Sequence, residues 1–149
     1  MSYYSDFTVG KRFDAIAQGE LFVVNDFLCL RSERGPIELW PGVAPYLVED
    51  IVAKRWPTRV HRDGAIEWHT EDVHMQPRRL SFIAAGVLYN IGGCLFLGVQ
   101  TDRNQGGIAL VDVKTGRFPD TRAPLDAGDT LHWSIRQIAD GKVFFKFSK

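Results

Sequence analysis

The chain has 149 residues, 45% of them hydrophobic and 12% aromatic, so a single domain over residues 1–149 can bury a core of its own. Its 18 basic and 18 acidic side chains give a formal net charge of zero, without the clustered basic excess that phosphate neutralisation requires. That balance argues against a nucleic-acid partner, and it leaves self-association or a protein partner unopposed by general repulsion.

The N-terminal stretch MSYYSDFTVGKRFD has no basic region followed by an apolar one, so it does not read as a secretion signal. A cytoplasmic location follows as the expectation. The two cysteines, Cys29 and Cys94, lie in apolar runs (DFLCLR and GGCLFLG) and read as buried free thiols. ELFVVNDFLCL, residues 20–30, has strand composition and length enough to bend or bulge around Asn25-Asp26. SERGPIELW turns at Arg34-Gly35 into a short strand ending at Trp40.

APYLVEDIVAKRWP, residues 44–57, predicts the main helix, near 44–56. Pro45 suits the first helical position, and Leu47, Val48, Ile51 and Val52 recur at helical spacing. Lys54 and Arg55 suit the negative end of the macrodipole, and Pro57 stops the helix.

The rest reads as hairpins. TRVHRDGAIEWHT turns at Arg62-Asp63-Gly64, which would pair Val60 with Ile66 and Thr58 with Trp68 on a core face. Its other face would carry Arg59, His61, Glu67 and His69, with Arg59 opposite Glu67. SFIAAGVLYNIGGCLFLGVQ, residues 81–100, is long enough to cross a bilayer, but Asn90 and Gly92-Gly93 at its centre are turn chemistry. It reads as two strands, not a membrane span. LVDVKTGRF turns at Thr115-Gly116; it has the look of a propeller-blade hairpin but occurs once, which excludes a propeller.

The last hairpin, TLHWSIRQIADGKVFFKF, allows a test of register. A two-residue Asp140-Gly141 loop puts Leu131, Trp133 and Ile135 on the face opposite Val143, Phe145 and Phe147. A three-residue loop, Ala139-Asp140-Gly141, pairs Ile135 with Phe145 and Trp133 with Phe147 and gathers all six on one face, so burial selects it. The predicted fold class is α+β, mainly β: seven to nine antiparallel strands forming a twisted sheet, a sandwich or a partly open barrel, with one helix.

HRDGAIEWHTEDVH, residues 61–74, holds three of the four histidines. In the three-residue register His61 and His69 stand about 13 Å apart along the strand, too far to share a zinc ion. HTE at 69–71 matches half of a zinc-deaminase signature, but no Pro-Cys-x-x-Cys follows it. No nucleophile elbow, P-loop or dinucleotide glycine motif is present, and an apolar setting disfavours Cys94 as a nucleophile. No cofactor and no metal are therefore expected. KRWPTRVHR, residues 54–62, mixes cations with Trp56, which suits a protein interface as well as a nucleic acid. QTDRNQGG, residues 100–107, is a polar loop of the kind that carries binding residues.

The expectation is thus a non-enzymatic protein-binding domain, of which an immunity protein occluding a cognate toxin's active site is one concrete form. Its partner-binding residues would be Trp56, Arg59, His61, Glu67, His69, Arg103 and Asn104. The alternative is a small-ligand-binding or hydrolytic enzyme with a pocket in a β-barrel, using His69, Glu71, His74 or His132.

Overall fold

The structure, a computed structural model, describes residues 4, 6–25, 27–40, 43–49, 55–71, 85–101, 107–119 and 129–146. Within them the chain forms twelve strands: β1 (Val9–Gly10), β2 (Leu21–Val24), β3 (Phe27–Ser32), β4 (Gly35–Leu39), β5 (Tyr46–Leu47), β6 (Arg59–Val60), β7 (Ile66–Glu71), β8 (Leu88–Ile91), β9 (Cys94–Gln100), β10 (Ile108–Asp112), β11 (Asp129–Gln137) and β12 (Val143–Lys146). They are ordered β1-β6-β2-β3-β4-β5-β9-β8-β11-β12, with β10 on β9 and β7 on β11, and the order does not close into a barrel.

Strand β11 joins two sheets. Its first residues, Asp129 to Leu131, pair with β8 of the large sheet, and His132 to Gln137 pair with β7. With β12 on its other edge, this second half forms a three-stranded sheet of its own. The main core draws on both sheets: Leu21, Val23, Leu28, Leu30, Ile37 and Leu97 from one, and Trp133, Ile135 and Phe145 from the other. A smaller core on the opposite face of β2 and β3 holds Phe13, Ile16, Phe22, Val24, Cys29 and Val60. Both faces of β2 are therefore buried, which is why Leu21-Phe22-Val23-Val24 is apolar without alternation.

Several hairpins follow local turn chemistry. Gly92-Gly93, both at positive φ, join β8 to β9 with Ile91 opposite Cys94. Glu33-Arg34 join β3 to β4, one residue earlier than expected. No helix of the described residues is long and apolar enough to cross a membrane. Asn25, at φ 53, does more than bend its strand: β2 doubles back into β3 with Val24 opposite Phe27. Asparagine accepts the left-handed backbone that so tight a turn requires.

The helix expected near 44–56 is corrected by the structure. Tyr46 and Leu47 form β5, wedged between β4, by the pairs Ile37–Leu47 and Glu38–Tyr46, and β9, by the parallel pair Tyr46–Gln100. Leu47 is buried in the main core and the Val48 N–H donates to the Pro36 carbonyl at 2.9 Å. A helix there would leave the β4 and β9 edges unpaired, and tertiary pairing outweighs a propensity of a few tenths of a kcal/mol per residue. A short 3₁₀ turn, Phe13–Ala15, is present instead.

The hairpin expected over 58–69 does not form either. Val60 pairs with Val9 and Phe22 in the large sheet, whereas Ile66 and Trp68 pair with Gln137 and Ile135 in the small one. Residues 61–65 are a crossing between sheets and not a turn within one. At the C-terminal hairpin the expected pair Ile135–Phe145 is found, but by another route. The loop spans Ile138–Gly141, closed by the Gln137 N–H on the Lys142 carbonyl at 2.7 Å, and a bulge between Arg136–Val143 and Ile135–Phe145 takes up Phe144. Phe144 and Phe145 are thus both buried while Val143 is exposed. The expected Trp133–Phe147 pair lies outside the described residues.

Candidate functional site

The residues singled out in the sequence do not share one face. His61 is only 5% exposed, edge-on to Phe7 at 5.4 Å and to Phe144 at 5.8 Å between ring centroids. Its Nδ1 accepts the Asp63 backbone N–H at 3.2 Å and its Nε2 lies 3.3 Å from Gln137 Oε1. The tautomer with its hydrogen on Nε2 satisfies both contacts, so this histidine is a pinned core residue at the sheet crossing. His61→Phe keeps the ring packing and removes both bonds; a loss of roughly 1–3 kcal/mol is expected in urea unfolding. An unchanged midpoint would mean that neither bond holds the crossing.

Arg59 donates to the Asn25 carbonyl at 2.8 Å and Glu67 pairs with Arg136 at 2.9 Å, so the expected Arg59–Glu67 pairing is not made. His69 is half-buried on β7 opposite Ser134. The same register sets Glu71 opposite His132, which places His69, Glu71, His132 and Ser134 at positions of one face of the small sheet. Arg103, Asn104 and His74 lie outside the described residues. The 100–107 segment joins β9 to β10, closed by the Thr101 N–H on the Gly107 carbonyl at 2.8 Å. Among the described residues, no group of three or more His, Cys, Asp or Glu side chains could hold a metal.

Cys29 is buried as expected, and burial, with the Glu38 carboxylate adding to it, pushes its thiol well above the usual range. Cys94 is exposed, because it opens β9 directly after the Gly92-Gly93 turn and its side chain misses the core. One equivalent of a thiol reagent should therefore label the native protein, at Cys94, with Cys29 reacting only after unfolding. Because Cys29 keeps its proton longer when folded, its contribution to stability is whole below roughly pH 8.5 and declines as pH rises beyond it. Unfolding midpoints of wild type and Cys29→Ala, followed from pH 7 to 10, check this; parallel curves would contradict it.

A cleft of about 800 Å³ lies elsewhere. It is lined by residues 10–14, Arg31 and residues 55–58. Lys11-Arg12-Phe13 and Arg55-Trp56 meet there; in the sequence the second pair follows Lys54, which is outside the described residues. Strands β1 and β6 bring them together, and Thr58 fastens them: the Lys11 N–H donates to the Thr58 carbonyl at 3.0 Å and the Thr58 hydroxyl donates to the Lys11 carbonyl. Trp56 is the one residue singled out in the sequence that lines this cleft. In the sequence both segments read Lys-Arg-aromatic, and that repeat is the signal for the rest.

The aromatic wall extends beyond the cleft. Trp56 meets Phe27 edge-on at 6.2 Å, and Phe27 stacks at 5.0 Å on Trp40, a residue 43% exposed. Among the described residues, the lining cations are Lys11, Arg12, Arg31 and Arg55 against one carboxylate, Asp14. Lys11 bonds Glu20 at 3.2 Å and Arg12 meets Asp14 at 3.7 Å on an open surface, where such a pair is worth little. Comparison with protein-family models, curated proteins and solved structures finds no match to this chain.

Proposed function

We propose that this chain is a non-enzymatic binding protein that recognises an acidic surface of another protein through the cleft of Lys11, Arg12, Arg31, Arg55 and Trp56. The observation that supports it is the convergence of Lys11-Arg12-Phe13, Arg31 and Arg55-Trp56 around one open cleft with a single carboxylate among the described residues of its lining. Arginine and tryptophan are the side chains that most often anchor interfaces, and a positive cleft steers an acidic partner toward it. Covering that partner's acidic site is the mode of action, and an immunity protein occluding a toxin domain in the cytoplasm is its concrete form. Affinity capture from the native host with wild type, Arg55→Glu and Trp56→Ala tests the reading. A stoichiometric partner should be retained by wild type, lost from both variants and released by salt. Equal retention by all three would remove the cleft from the interface.

The second reading, a small-ligand or hydrolytic enzyme, is favoured by the register that sets His69 beside Ser134 and Glu71 beside His132. Hydrolysis of a generic ester, abolished by Ser134→Ala at unchanged stability, would favour it over the first.

A further inference from the structure

We infer that Arg31 is the group in this cleft that reads the partner, and that what it reads is an oxyanion, a phosphate or a carboxylate borne by a protein side chain. The inference rests on the binding reading above and deepens it. Arg31 leaves β3 at its end and lies with its guanidinium carbon 4.1 Å above the centre of the Phe13 ring. One Nη donates to the Ser32 carbonyl. Its Nε is buried and meets no acceptor among the described residues, and none of their carboxylates forms an ion pair with it. Native proteins seldom leave a buried guanidinium N–H unmet, and such a group is met by water, an ion or a ligand. Partial burial lowers the pKa of this guanidinium, which marks the charge as desolvated and uncompensated.

The geometry favours a planar oxyanion. A guanidinium whose one face is covered by Phe13 is held in a fixed plane, and its fork matches carboxylate and phosphate in two parallel hydrogen bonds. Arg55, exposed at the rim, supplies a second cation, and Trp56 supplies an apolar surface for the residue next to the anion. Lys11 bonds Glu20, and Arg12 stands on the open surface beside Asp14. Arg31 and Arg55, which form no ion pair among the described residues, suit one phosphate or a pair of carboxylates. They do not suit a polyanion, which needs a track of cations, and the chain's zero net charge agrees.

The test titrates the full chain with pyrophosphate, with a phosphoserine peptide, with a peptide of adjacent Asp and Glu residues, and with a single-stranded oligonucleotide. Arginine Nε resonances report Arg31 directly, and tryptophan fluorescence reports the wall. The two peptides tell phosphate from carboxylate as the source, and binding by either supports the proposal. Arg31→Lys keeps the charge and loses the fork, so it should weaken binding roughly tenfold, whereas Arg31→Gln should abolish it. Lys142→Gln, outside the cleft, should change nothing. Unchanged binding in Arg31→Lys, or binding of the oligonucleotide alone, overturns the proposal. Silence of every probe while Trp56→Ala still loses the captured partner overturns the role of Arg31 and spares the protein-binding reading. Arg31-dependent binding of pyrophosphate without any captured partner supports the oxyanion site and removes the protein partner.

Discussion

Gly19→Ala is expected to destabilise the protein by roughly 4 kcal/mol or more, because two separate costs coincide at that position. Gly19 sits at φ 92, a conformation that L side chains rarely adopt, and a Cβ there would stand 2.0 Å from the Lys114 carbonyl oxygen. Gly116, at φ 70, has the same difficulty from the other side: its Cβ would fall 2.5 Å from the Arg31 carbonyl oxygen and 2.8 Å from the Gly19 nitrogen. The neighbours are backbone and cannot rotate away. They are also bonded to one another, with the Gly19 N–H on the Arg31 carbonyl at 2.7 Å and the Glu33 N–H on the Gly116 carbonyl at 2.8 Å. These two glycines let the turn after β10 press onto the backbone of Arg31, and so they set where the cleft's central cation stands. Gly93→Ala is the control: it too has a positive φ, but nothing lies within 4 Å of its Cβ, so it should cost only about 1 kcal/mol. Urea denaturation of the two variants beside wild type decides the matter. A Gly19→Ala midpoint no lower than that of Gly93→Ala would mean the close approach is absent.

Trp133→Ala should cost about 3–5 kcal/mol, the range for truncating a large aromatic in a packed core. Trp133 is 5% exposed, stacks on Phe145 at 5.4 Å and lies 5.0 Å from the Trp68 ring, so it holds all three strands of the small sheet to one core. Its Nε1 donates to the Gly86 carbonyl at 2.9 Å, which ties that sheet to the segment leading into β8. Trp133→Phe keeps most of the stack and removes the donor, and roughly 1–3 kcal/mol is expected from the carbonyl left unpaired. The ordering wild type, Phe, Ala should hold in both thermal and urea unfolding. A phenylalanine variant as stable as wild type would show that the bond to Gly86 contributes nothing.

What could be read from the sequence was what neighbours in the chain decide. Gly92-Gly93 and Asp140-Gly141 mark turns wherever they stand, and the pair Ile135–Phe145 followed from gathering large apolar groups on one face. Arg31, the centre of the cleft, was not legible: within DFLCLR it follows an apolar run near the end of its strand, and the residues that line the cleft with it come from positions 10–14 and 55–58. The histidines misled for the same reason. Alternation assigned His61 a face, but Phe7 and Phe144, at opposite ends of the chain, enclose it.

By itself, the sequence determined a β-rich chain of hairpins, because turn residues and two-residue alternation act over a handful of positions. Only the tertiary structure decided that Leu47 is a strand residue and not a helical one, that β6 and β7 part into different sheets, and that Lys11-Arg12-Phe13 and Arg55-Trp56 line one cleft. The reason is that each of these depends on edges and apolar surfaces supplied from far along the chain. Burial of Leu47, His61 and Trp68 against such distant partners outweighs the small local preferences that periodicity can register.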